Sequence, residues 1–163
     1  MNMTGTLPPA APGRPWPERF PGPAPQPHAP GTRLELREGI RAMGFGAVER
    51  PAGLSGRRIA PEPEALLLLG AIDPGVQALL LVFLPQPGAE PLELLYEGHP
   101  LATEPAEPVT PLHDRPGAWA LRATLPLPEA LPRPAWGRLE IRRALPPGPV
   151  RHPAPALHAV VFL

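Results

Sequence analysis

At 163 residues, with a formal net charge of zero and a pI near 7.0, the chain can fill one hydrophobic core and carries no long-range field that would steer it onto nucleic acid, anionic lipid or an acidic partner. It has no cysteine, which excludes a disulfide framework, a thiolate nucleophile and a thiolate-held zinc. All 15 basic residues are arginine, serine and asparagine occur once each (Ser55 and Asn2), and 31 residues are proline; codon bias of a GC-rich genome explains this skew more simply than thermophily, whose usual signature includes lysine.

Residues 1–32 hold ten of the prolines among Ala, Gly, Arg and Gln, with no apolar period. Such a segment does not offset the entropy of ordering, so it reads as a polyproline II or disordered arm in front of a domain spanning 33–163. The first twenty residues have no basic n-region followed by an apolar run, so no secretory signal is expected and a cytoplasmic location is. P-x-x-P spacing at Pro12 and Pro15, with Trp16 and Phe20 close by, marks candidate partner contacts in the arm.

Proline is excluded from helix interiors and central strand positions, and the runs left between prolines are strand-sized. Arg33–Arg37 alternates polar and apolar as a half-buried strand does. Ile40–Val48, interrupted by Gly44 and Gly46, reads as a bent or bulged strand rather than a helix. Ala65–Ile72 and Val76–Leu84 are continuous apolar runs joined by Asp73-Pro74-Gly75, a turn signal, and are expected to form a core hairpin. Together they reach the length of a membrane span, but the polar turn at the middle argues against one. Leu92–Glu97 is a further strand, followed by a long connection, Gly98–Pro116, with five prolines and two histidines. Ala118–Leu125, Arg138–Ala144 and Leu157–Leu163 complete about eight strands. Regular spacing without a convincing helix predicts an all-β fold, a β-sandwich or jelly roll.

The residues that bear chemistry are sparse. Gly53-Leu54-Ser55-Gly56-Arg57 lacks the second glycine of a nucleophile elbow, so Ser55 reads as a turn residue. None of the five histidines sits in an H-x-H or H-E-x-x-H pattern; the best candidate metal ligands are His99 and His113, beside Asp114, at the two ends of the long connection. Metal-dependent jelly rolls of the cupin type hold ligands in roughly such positions, but their closely spaced histidine pair and following glutamate are missing here, and no cofactor is expected. Glutamates are plentiful, yet nothing picks out an opposed catalytic pair. For a sugar-stacking surface the candidates are Trp136, which lies outside any alternation, and Tyr96; Trp119 shares its face with Leu121, Ala123 and Leu125 and is expected in the core. Arg138, Arg142 and Arg143 are partly balanced by Glu140, so nucleic-acid binding is not expected. The apolar C-terminus through Phe162 and Leu163 must be buried in the sheet or capped by a partner. These observations favour a non-enzymatic module acting through protein contacts or self-assembly, with a carbohydrate-binding sandwich and a metal-dependent jelly-roll enzyme as alternatives.

Overall fold

The computed structural model describes residues 26–36, 42–43, 45–49, 55–59, 64–85, 92–108, 117–143 and 155–163. Within them the fold is all-β, without helix, so no helix there is long and apolar enough to cross a membrane. The strands in chain order are β1 (Arg33–Glu35), β2 (Ala42–Met43), β3 (Phe45–Glu49), β4 (Gly56–Ile59), β5 (Glu64–Gly70), β6 (Ala78–Phe83), β7 (Leu92–Tyr96), β8 (His99–Pro100), β9 (Ala102–Ala106), β10 (Trp119–Thr124), β11 (Gly137–Arg143) and β12 (Ala156–Phe162). They form two antiparallel sheets. A seven-stranded sheet runs β3-β4-β12-β6-β10-β9, with β1 also paired to β12, and a five-stranded sheet runs β2-β5-β11-β7-β8.

Alternation places the core between the sheets. Leu79, Leu81 and Phe83 of β6 and Val160 and Phe162 of β12 face Ala65, Leu67 and Leu69 of β5, Leu139 and Ile141 of β11, and Leu94 and Tyr96 of β7. Burial of each large side chain contributes about 1.5–3 kcal/mol. The other face of β6 is apolar too: Leu80, Val82 and Leu84 form a second buried cluster with Ala120, Ala156 and Val161. Two buried faces explain why β6 reads as an unbroken apolar run.

The expected core hairpin is corrected. The turn exists, with Val76 N–H donating to Asp73 O at 3.0 Å and Gly75 N–H to Asp73 Oδ1 at 2.7 Å. It hands the chain from one sheet to the other, however, because β5 and β6 each occupy the interior of their own sheet, β5 between β2 and β11 and β6 between β12 and β10. The expected bent strand at Ile40–Val48 likewise divides, β2 joining the five-stranded sheet and β3 the seven-stranded one. The long connection after Gly98 contains β8 and β9. Its strand character is hidden because β9 lies at the sheet edge, largely exposed, where Pro105 is tolerated.

The last residues of the proline-rich arm are tied to the fold. His28 N–H donates to Ala71 O at 2.9 Å, Asp73 N–H to His28 O at 3.0 Å, Gly31 N–H to Phe162 O at 2.6 Å, and Phe162 N–H to Thr32 O at 2.9 Å. Residues 1–25, with Pro12, Pro15, Trp16 and Phe20, lie outside the described residues.

Candidate functional site

One end of the sandwich gathers the 71–77 corner, the 125–136 connection, the Glu97-Gly98 turn, residues 26–32 and Leu163. Every described residue singled out in the sequence as a candidate site residue lies here: Tyr96, His99, Trp136, Phe162 and Leu163. Local bonds make the end rigid. Ala130 and Leu131 N–H both donate to Leu127 O at 2.9 Å, and Leu125 N–H donates to Gln77 O at 2.9 Å. Arg133 then joins the two connections, with Nη1 donating to Asp73 O at 2.6 Å and Nη2 to Pro126 O at 3.1 Å.

Beside this corner, Tyr96-Glu97-Gly98-His99 is a tight hairpin turn whose two central residues have positive φ, 50° at Glu97 and 82° at Gly98. Two such residues in succession match the right-handed twist of the flanking strands. Glu97 is unusual at the first of them, and its carboxylate explains its presence. Oε1 accepts from Arg138 Nη2 at 2.9 Å, while Oε2 accepts from Arg138 Nε at 3.3 Å and from the Arg138 backbone N–H at 2.7 Å. Arg138 is 4 % exposed, so this pair is largely withdrawn from water.

Tyr96 is fully buried, which corrects its assignment as a sugar-stacking residue. It alternates with Leu92 and Leu94 toward the core, and its ring edge packs under Gly137, where a Cβ would meet Tyr96 Oη at 2.5 Å and Gly70 O at 3.1 Å. Its hydroxyl has no hydrogen-bond partner among the described residues. Burial, followed by the neighbouring Glu97 charge, holds it well above the usual tyrosine range, against the pull of Arg133 and Arg138. Gly137→Ala is expected to lose about 1–3 kcal/mol through overpacking against Tyr96, read as a lowered melting temperature with an unchanged strand signal in circular dichroism.

Of the two places expected for the C-terminus, in the sheet or under a partner, Phe162 takes the first: it is buried in the core, its ring stacked on His28 at 4.2 Å between centroids, while His28 Nε2 donates to Leu69 O. Leu163 remains 38 % exposed, its carbonyl accepting from Gln77 N–H at 2.7 Å. Trp136 is half-buried, and Trp119 stacks on Phe83 at 4.0 Å at the margin of the core.

His99 is exposed on β8. His113 and Asp114 lie outside the described residues, on a connection whose described ends, Pro108 and Gly117, flank the opposite end of the β9–β10 ladder from His99. Among the described residues no group of three or more His, Cys, Asp or Glu side chains is placed to hold a metal ion. Of the arginines of β11, Arg138 pairs with Glu97, Arg142 with Glu140 at 2.9 Å and Glu93 at 3.7 Å, and Arg143 is buried. The sequence reading passed over Leu127, which is 67 % exposed. The signal was present: Leu125-Pro126-Leu127-Pro128 sets it between prolines just past a strand, where no ladder can bury it.

No protein-family model and no curated protein matches the chain. Among solved structures it is similar to CsCBM6-3 from Clostridium stercorarium in complex with cellobiose, with a TM-score of 0.50 and 11 % sequence identity over 83 % of this chain and 95 % of that one. At that identity the likeness establishes the β-sandwich architecture.

Proposed function

We propose that the chain is a non-enzymatic β-sandwich module that acts through protein contact, as an accessory or structural subunit of a larger assembly. The observation that carries this reading is the exposure of Leu127 and Leu163, the large hydrophobics exposed among the described residues, at the same end of the sandwich. Covering them gains about 25 cal/mol per Å² of apolar surface. The prolines and the Arg133 bonds have already fixed the loop, so little ordering entropy opposes binding. The described part of the chain begins at this same end, with His28 bonded to Ala71 and Asp73, and a proline-rich sequence such as that around Pro12, Pro15, Trp16 and Phe20 is suited to ordering along a neighbour.

Size-exclusion chromatography with light scattering tests the reading on the full chain, on a chain starting at Gln26, and on the Leu127→Glu/Leu163→Glu double variant. The truncation starts at Gln26 because the bonds of residues 28–32 belong to the fold. The full chain is expected to self-associate and both altered chains to shift toward the monomer. A full chain that stays monomeric at every concentration sets the reading aside.

A second reading, carbohydrate binding, draws support from the likeness to a protein solved with cellobiose and from half-buried Trp136 among the loops. It is the weaker one, because burial of Tyr96 leaves half-buried Trp136 as the single aromatic for ring stacking at that end among the described residues. Titration with cellobiose, followed by tryptophan fluorescence in the native chain and in Trp136→Ala, decides it: a saturable change lost in the variant favours sugar.

A further inference from the structure

His158 sits where two strands share one edge of β12. Strand β4 pairs with Ala156 and Leu157, β1 pairs with Ala159 to Val161, and the register shifts between Leu157 and Ala159, so that His158 falls at the junction. Its side chain is 3 % exposed and bonded on both sides. Nδ1 lies 2.6 Å from Ser55 O, just before β4, and Nε2 lies 2.9 Å from Arg33 Nη2 on β1. A carbonyl only accepts and a guanidinium only donates. The two contacts together therefore require a neutral imidazole with its proton on Nδ1.

We propose that His158 is a pH-sensitive latch that holds β1 and the start of β4 side by side on β12. Protonation turns Nε2 into a donor facing a donor and sets a positive charge, on a ring itself buried, against the Arg33 guanidinium at the margin of the site. The charged groups of the packed elements do not relieve it. Glu35 on β1 is engaged with Arg33 at 3.5 Å, Arg57 and Arg58 stand on β4 opposite Leu157 and Ala156, and β6, on the other side of β12, carries no charge. The nearby anchor of the arm behaves differently. His28 donates through Nε2 to Leu69 O, a bond that protonation keeps. Acid thus loosens β1 selectively and bares the Ala159–Val161 edge of β12, whose backbone groups can then accept an extended strand from another chain.

Amide exchange, corrected for intrinsic rates, tests this on the full chain between about pH 7.5 and pH 5, the interval in which histidines titrate. Leu36 N–H, bonded to His158 O, and Phe162 N–H, bonded to Thr32 O, are expected to lose protection by about tenfold at the lower pH, while amides of the β6–β10 ladder keep theirs. His158→Gln, a neutral mimic able to donate to Ser55 O and accept from Arg33, should abolish the response. Arg33→Gln, which offers an acceptor to an imidazolium, should abolish it as well. Uniform loss of protection, no loss, or a full response surviving in either variant overturns the latch.

Discussion

Replacing Glu97 by glycine is expected to lower stability by about 2–4 kcal/mol, although the backbone at that position favours glycine. Two effects oppose each other. At φ 50° a non-glycine residue costs on the order of 1 kcal/mol in strain, and glycine relieves it. Removing the carboxylate, however, leaves the Arg138 guanidinium, with 5 % of its side chain exposed, and the Arg138 backbone N–H without the acceptor they share. Loss of the carboxylate from this buried guanidinium, at about 3–5 kcal/mol, outweighs the relieved strain several-fold. For a domain of this size the net loss corresponds to a drop in melting temperature on the order of 10 °C. Glu97→Gln, which keeps an acceptor but not the charge, should fall between the two. If Glu97→Gly melts at or above the native chain, the pair contributes nothing beyond the turn, and the account of this hairpin is wrong.

That hairpin also shows what could be read from the sequence. Leu92, Leu94 and Tyr96 alternate on one strand by the same rule that turns Trp119 inward, so the burial of Tyr96 follows from parity. Its aromatic character suggested a ligand surface, but its position in the strand decided the outcome. Strands β5, β6, β11 and β12 were legible because their interior places demand apolar residues. The edge strand β9 was not, since Ala102-Thr103-Glu104-Pro105-Ala106 has neither an apolar face nor a proline-free ladder.

Sheet membership was illegible for a different reason. Alternation tells which side chains face the core but not from which side, so β5 and β6 read equally well as neighbours or as opposing layers. Nor could the bond between Glu97 and Arg138, 41 residues apart in sequence, be drawn before the β7–β11 pairing was known. Leu127 and Leu163 are brought to one end by the same topology. The exposure of Leu127 was readable from its flanking prolines; that it shares one end of the sandwich with Leu163 was not.

Above the ordinary tyrosine range, near pH 10, the stability of the native chain is expected to fall as the pH rises, by at most about 1.4 kcal/mol per pH unit, and Tyr96→Phe should remove that loss. The chain is suited to this measurement by its composition. It has one tyrosine, no lysine and no cysteine, and arginine stays protonated throughout, so Tyr96 is the only side chain that titrates in this interval. The sign follows from the direction of its shift. Burial holds the native phenol protonated well above pH 10, whereas the unfolded chain releases its proton there. The native state therefore binds more protons than the unfolded one, the benefit is whole below pH 10, and it is lost as the pH rises toward the native value. Because the hydroxyl has no partner among the described residues, Tyr96→Phe should change stability at neutral pH by no more than about 1 kcal/mol. Denaturant unfolding at pH 8, 10, 11 and 12 on both chains, with tyrosinate absorbance recorded on the native protein, separates the cases. Parallel decline in the two chains would trace the loss to the backbone or to self-repulsion among charges, and early tyrosinate absorbance in the folded protein would show that the phenol reaches water without unfolding.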